Sequence, residues 1–366
     1  MKFNYYGGKD IITKPDIMLR SSIDFSNPRN LEGCILKTSN NENVTLQTCI
    51  GFGGEGCVYL LSEKNMVAKI FSDMYRTQQR KEKIELMCKI VLEKQSVVWP
   101  KDTLYDSSGE FVGYLMELVP TARGMMDLED VLKNVSVINH LTKKQMIETI
   151  IAICETVDYL HSQGIVVGDL KLENIIFRKE DAEKNDFSKP LFLGCDSYQI
   201  EKYPCNVFTD SYQAPEWHPS TMKYRGFEYD LYSLYVVIFK ILFRRMLPHS
   251  RIRLPNELDQ NKLDSAKSGV FPYSVFDEEY TDKWAPKVGG CAALWSHLPE
   301  YIKQALFDAG DKKAGKNYGP QNRITAAKWA ELFKRYLADI ECGKLSVDEE
   351  YNVGYPVNKI SYSLLK

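Results

Sequence analysis

A glycine-rich turn and a lysine a short way beyond it constrain this chain more than any other feature. Gly51, Gly53, Gly56 and Val58 lie between two short β-prone runs, and Lys69 closes the triplet Val67-Ala68-Lys69 at the end of an apolar run. A G-x-G-x-x-G pattern alone is weak, because glycines in that spacing also make an ordinary hairpin turn. Its setting between strands, instead of between a strand and a helix, argues against a dinucleotide-binding crossover. Backbone N–H groups of such a hairpin approach phosphates without Cβ obstruction, and Lys69 adds a point charge for the α and β phosphates.

A second group of residues follows a hundred positions later. Asp169 emerges from the apolar run Ile165-Val166-Val167-Gly168, where a carboxylate is positioned and partly desolvated, so it is the candidate general base. Lys171 is placed to neutralise charge building on a transferred phosphoryl group, and Asn174 offers an oxygen to magnesium. Asp196 ends the apolar stretch Leu191-Phe192-Leu193-Gly194-Cys195 and is a second hard oxygen ligand, suited to bridging magnesium to the phosphates. Lys69 needs an acid to hold it. Glu82 and Glu85 on the next helix are the candidates, with Glu82 preferred on its spacing from Ile84 and Met87. Ala214-Pro215-Glu216 lies beyond, and Arg323 is expected to form a buried ion pair with Glu216.

Composition narrows the setting. At 366 residues the chain exceeds a single small core, so two lobes are expected. A net charge of −2 with 26% charged residues argues against a broadly basic nucleic-acid binder or a charge-driven membrane protein. The nine cysteines are scattered without a C-x-x-C pair, which fits free thiols and a cytoplasmic setting. Leu231 to Phe243 is the most apolar stretch, too short to cross a bilayer, and reads as a buried helix.

The pattern along the chain predicts an extension over 1–45, a β-rich lobe over 46–119, a mainly helical lobe over 120–340 and a tail over 341–366, an α+β fold. Thr77 to Glu93, Thr142 to Ser162 and Thr325 to Ile340 carry helical spacing, while Phe111 to Val119 reads as a strand. Lys179 to Lys189 reads as a solvated hairpin tip, and residues 248 to 295 as long connecting loops.

Taken in this order, the residues from about 45 to 340 resemble the eukaryotic-type protein kinase family. The resemblance implies a bilobal protein-kinase-like fold with ATP and Mg2+ in the cleft and a protein as substrate, phosphorylated on serine or threonine. It further implies Met116 at the gatekeeper position, a hinge through Glu117 and Val119, adenine between Val58, Ala68 and Ile176, and Asp230 opening the long buried helix. Two departures stand out: Val167-Gly168 replaces the usual His-Arg before the catalytic aspartate, and Asp196-Ser197-Tyr198 replaces Asp-Phe-Gly. Without an arginine beside Asp169, a phosphorylated activation loop loses its usual counter-charge, so no dependence on loop phosphorylation is expected. Gly168-Asp169 with Cys195-Asp196-Ser197-Tyr198-Gln199 is similar to a bacterial subgroup found near tellurite-resistance and stress genes. A nucleotide-binding scaffold and a small-molecule kinase are the competing readings.

Overall fold

The structure is a computed structural model that describes residues 16–21, 23–24, 28–62, 65–217, 224–250, 269–273, 289–345 and 353–356. Strands β1 (Ile35–Thr38), β2 (Asn43–Gly53), β3 (Gly56–Leu61), β4 (Met66–Phe71), β5 (Asp102–Tyr105) and β6 (Phe111–Glu117) form the first lobe. They join in the order β1-β2-β3-β4-β6-β5, and β1 closes on β5 to make an antiparallel barrel. Neighbouring residues of a strand point to opposite faces, so Leu36, Val44, Leu46, Tyr59, Ala68 and Ile70 fill the barrel interior. Gly113 lets β6 approach β4, since a Cβ there would collide with the Lys69 carbonyl.

This lobe starts earlier than residue 46. β1 and the 3-10 turn Pro28–Leu31, with Leu31 in the same core, belong to it, and the expected boundary falls inside β2. A strand of four residues is too short for its period to be read, and its place comes from pairing with both β2 and β5. Farther upstream, Leu19 N–H donates to the Arg76 carbonyl and Gln78 N–H to the Ile17 carbonyl, tying residues 16–21 to the start of the first helix.

Helix α1 (Gln78–Cys88) begins at Thr77, whose side chain accepts from Arg80 N–H. It stops short of the expected Glu93. Trp99 Nε1 donates to the Met87 carbonyl and satisfies a C-terminal acceptor that another turn of helix would have used. Val91, inside the expected helix but beyond its observed end, is 87% exposed.

The second lobe holds α2 (Leu128–Lys133), α3 (Val135–Ile138), α4 (Lys143–Ser162), α5 (Lys179–Ala182), α6 (Phe227–Leu242), α7 (Gly289–Ser296), α8 (Glu300–Gly310) and α9 (Ala326–Glu341). A Thr142–Gln145 capping box starts α4, and Thr325 caps α9. Ile150, Ile153, Val157 and Leu160 of α4 are fully buried, and truncating any one to alanine costs about 2–5 kcal/mol. Helix α6 is buried along most of its length, with Asp230, Ser233 and Lys240 enclosed among its apolar side chains.

Two short strand pairs carry the loops of the cleft: β7 (Ile165–Val166) with β10 (Gln199–Ile200), and β8 (Ile175–Ile176) with β9 (Leu191–Phe192). The segment between β8 and β9 is not the solvated tip expected from its charges. Phe187 and Ala182 are buried, Thr149 Oγ1 donates to the Phe187 carbonyl, and Gln145 Nε2 donates to the Asn185 carbonyl, which fastens the segment to α4. Much of 248–295 lies outside the described residues, while Phe271 and Tyr273 join the helical core. No helix among the described residues is long and apolar enough to cross a membrane.

Candidate active site

Lys69 and Asp196, 127 positions apart, meet with Nζ 2.7 Å from Oδ2. The remaining partners of Lys69 differ from expectation. Its second carboxylate is Glu55, 3.8 Å away, in the Gly54-Glu55 turn that joins β2 to β3. Glu82 instead accepts from Gln78 Nε2 at 3.0 Å and from Tyr203 OH at 3.0 Å, and Glu85 accepts from Tyr105 OH. The correction has a geometric cause. Ile84 and Met87 are indeed buried, but Glu82 lies two residues before Ile84 and so falls on the other side of the helix, whereas Arg80 and Lys83 share the buried stripe.

A charge cluster results in which Lys69, Arg80 and Lys83 face Glu55 and Asp196. Arg80 bonds Glu55 Oε1 at 2.8 Å and Asp196 Oδ2 at 3.4 Å, and its guanidinium lies 4.7 Å over the Phe71 ring. Tyr114 OH donates to Asp196 Oδ1 at 2.9 Å, and Lys83 Nζ donates to the Asp196 carbonyl at 2.7 Å. Burial alone would raise the Asp196 carboxyl, but the charges of Lys69 and Arg80, with the Lys69 and Tyr114 hydrogen bonds, hold it well below the usual carboxylate range. Burial, seconded by the like charge of Arg80, pulls the Lys83 ammonium down to about 8.

The loop that carries Asp169 forms a second unit. Asp230 of α6, fully buried, accepts from Val167 N–H and Gly168 N–H, both at 2.7 Å, and so fixes the turn that presents Asp169. Asp169 Oδ2 lies 2.8 Å from Lys171 Nζ, and Oδ1 accepts from Thr209 Oγ1 at 2.8 Å. Lys171 Nζ also donates to Thr209 Oγ1 at 3.0 Å, so one hydroxyl sits between a carboxylate and an ammonium. Asn174 Nδ2 donates to the Asp169 carbonyl at 2.9 Å, and the amide group lies against Gly194.

Gly51 and Gly53 border open space, where an added Cβ would meet nothing, while a Cβ on Gly56 would strike the Ile70 carbonyl of β4. Met116, Val119 and Ile176 gather around Val98 and Leu191 in one apolar patch. Val58 pairs with Lys69 across the sheet and shares its face. Ala68 does not belong to this wall. Adjacent to Lys69 in the strand, it points the other way, into the barrel core, and Val67, paired with Met116, is the residue on the Lys69 face. Glu117 takes an ion pair from Arg178 at 2.8 Å. Arg323 reaches Glu216 at 2.7 Å as expected, and Glu216 stays partly exposed.

Asn174 and Asp196 are hard oxygen donors of the kind magnesium prefers. The Asn174 amide oxygen accepts no hydrogen bond among the described residues, which leaves it free for a cation. Asp196 retains only part of its acceptor capacity, because Lys69, Arg80 and Tyr114 all donate to it. The donor set therefore fits a magnesium ion bound together with phosphates that draw Lys69 away.

A barrel lobe and a helical lobe thus carry two polar units, a strand lysine on a buried aspartate and a loop carboxylate paired with a second lysine. Residues 44–284 match the protein kinase domain model, and the chain belongs to that family. It is 26% identical over 288 residues to Protein kinase YegI of Escherichia coli strain K12, a match covering 75% of this chain and 43% of that one. It is 28% identical over 195 residues to human Ribosomal protein S6 kinase alpha-2, covering 51% of this chain and 24% of that protein. With Serine/threonine-protein kinase PknG of Mycobacterium leprae the identity is 31% over 181 residues, 46% of this chain and 22% of the other. The chain spans less than half the length of each of these relatives.

Sequence reasoning missed Glu55, Arg80, Lys83, Tyr114 and Thr209. The signal for Arg80 and Lys83 was present, since they precede Ile84 and Met87 on the same helical stripe. Nothing in the spacing marks Tyr114 or Thr209, whose roles arise from contacts 82 and 40 positions away.

Proposed function

We propose that this protein transfers the γ-phosphoryl group of ATP, with Mg2+, to serine or threonine hydroxyls of a protein substrate. The observation that carries this reading is the Thr209 hydroxyl, bonded at once to Asp169 Oδ1 and Lys171 Nζ. A base and a cation converging on one aliphatic hydroxyl are what an incoming alcohol needs. Asp169 takes the proton of the acceptor hydroxyl, and Lys171 offsets charge on the phosphoryl oxygens. Lys69 and the amides of Gly51, Gly53 and Gly56 orient the phosphates, and the apolar patch around Met116, Val119 and Ile176 receives the base. Asn174 and Asp196 hold the metal, which lowers the charge on the transferred group when bound. The resemblance to serine/threonine-protein kinases such as PknG supports the serine/threonine type, and the Gly168-Asp169 and Cys195 to Gln199 motifs support a place in the bacterial stress-associated subgroup.

A nucleotide-binding scaffold is the second reading, favoured by the absence of a glutamate from the Lys69 side of α1 and by the commitment of Asp196 to three donors. Radiolabelled ATP with magnesium and a generic protein substrate separates the two. Wild type labels the substrate and Asp169→Ala does not. Equal, background labelling by both, with nucleotide still raising the unfolding temperature, selects the scaffold.

A further inference from the structure

Gly168 stands where an arginine is usual in this family, and the structure contains an arginine in the space beside it. Arg225, 57 residues further on, is buried, and NH1 donates to the Gly168 carbonyl. NH2 donates to the Val207 carbonyl at 2.8 Å, and NH1 lies 3.6 Å from Cys205 Sγ. Its plane covers Trp217, with Cζ 4.4 Å from the ring, and its own backbone is held both ways by the Gln199 side chain, at 2.8 and 2.7 Å. Gly168 has φ +76°, and a Cβ there would lie 2.6 Å from Cys205 Sγ and 3.1 Å from Arg225 NH1. A side chain at position 168 and the Arg225 guanidinium therefore exclude each other.

We propose that Arg225 is a positioning residue that holds the activation segment in its substrate-accepting place without phosphorylation. The residues it ties down, Gly168 and Val207, are the chain neighbours of Asp169 and, two positions on, of Thr209, whose mutual hydrogen bond builds the acceptor site. Its donors reach neutral backbone carbonyls that are always there, so the bridge forms without a phosphate to complete it. Trp217 extends the contact to the Ala214-Pro215-Glu216 platform. This inference rests on the kinase reading for its activity consequence but not for its structural one.

The experiment compares wild type, Arg225→Ala and Arg225→Lys by steady-state transfer and by amide hydrogen exchange over residues 203–209. Loss of two charge-assisted, partly buried hydrogen bonds predicts that Arg225→Ala lowers kcat/KM for a protein substrate about 10- to 100-fold, with the KM for ATP within about twofold. Arg225→Lys, which keeps the charge and one donor direction, recovers part of the loss, and phosphatase treatment of wild type changes nothing. Exchange in 203–209 speeds up about tenfold or more in Arg225→Ala, while the ATP-induced rise in unfolding temperature persists and certifies the fold. Wild-type kcat/KM in Arg225→Ala, or loss of wild-type activity on phosphatase treatment, overturns the proposal. If wild type transfers no phosphate yet exchange accelerates in the variant, the kinase reading fails and the clamp stands. Unchanged exchange removes the clamp whatever the activity. Should Arg225→Ala not fold, Arg225→Lys carries both readouts, and its matching wild type in both is equally fatal.

Discussion

Lys83→Met removes the one ammonium of the Lys69 cluster that has no carboxylate within ion-pairing distance among the described residues. Its hydrogen bond goes to the neutral Asp196 carbonyl, so Glu55 and Asp196 offset its charge only in part, and burial holds it at about 8 instead of the usual 10.5. The sign follows from proton counting. Between those two values the unfolded chain carries the proton and the folded protein does not, so stability rises as the solution is made more alkaline. At about 1.4 kcal/mol per pH unit, the group relieves about 3 kcal/mol of destabilisation between pH 7 and 10.5. Lys83→Met lacks this relief. Urea unfolding of both proteins across that range therefore gives a stability difference, variant minus wild type, that falls by about 3 kcal/mol on going to high pH. The lost hydrogen bond and the other alkaline titrations shift both ends alike and cancel from the double difference. A difference constant to within about 0.5 kcal/mol means that Lys83 is not the buried, incompletely compensated cation described, and the charge count of the cluster fails with it.

Ala68→Leu overfills the barrel core and destabilises by about 1–3 kcal/mol, with the KM for ATP unchanged, whereas Val67→Ala raises that KM; the reverse pattern contradicts the face assignment. Asp169→Asn lowers kcat by about 100-fold or more in the transfer assay while nucleotide binding, read by thermal shift, is retained. Because the Asp196 carboxyl is held below its unfolded value, the stability it contributes is complete above the usual carboxylate range and is lost as pH falls toward 2. Asp196→Asn flattens that acid limb in a pH series of unfolding midpoints.

The local settings of the glycine turn, Lys69, Asp169, Asn174 and Asp196 were legible because each is a short pattern whose geometry follows from the backbone: a hairpin, a strand, a loop after an apolar run. The helices were legible for the same reason, with Thr142 and Thr325 marking their starts. Errors arose where a residue's meaning depends on its face. Ala68 next to Lys69 and Glu82 near Ile84 are neighbours of the site along the chain, yet a period of two in the strand and of 3.6 in the helix turns each away. Glu55 and Arg225 were unreadable for another reason. Their partners, Arg80 for the first and Gly168 and Val207 for the second, lie far off in the chain, and only tertiary packing brings them into contact. The same packing explains Phe187, which converts a charged insert into a segment fixed on α4.

Magnesium alone should bind this site poorly, and the reason is the company Asp196 keeps. Its carboxylate receives Lys69 at 2.7 Å, Tyr114 at 2.9 Å and Arg80 at 3.4 Å, with Lys83 against its carbonyl, so an entering divalent ion meets three like charges and a ligand already engaged. A triphosphate changes the balance by bringing several negative charges that compete for Lys69 and free a lone pair on Asp196. On the proposed function, metal and nucleotide binding are therefore expected to be coupled, each improving the other. A ligand present at about 100 times its Kd stabilises by about 2.7 kcal/mol, a shift of several degrees for a chain of this size. The expected series of unfolding temperatures is no change beyond about 1 °C with millimolar magnesium, a moderate rise with ATP and a chelator, and a rise with both that exceeds the sum of the two. Lys69→Met, which removes the nearest competitor, gives magnesium alone a measurable shift. Additive shifts in wild type, or a full shift from magnesium without nucleotide, mean that Asp196 is not held by these cations in solution.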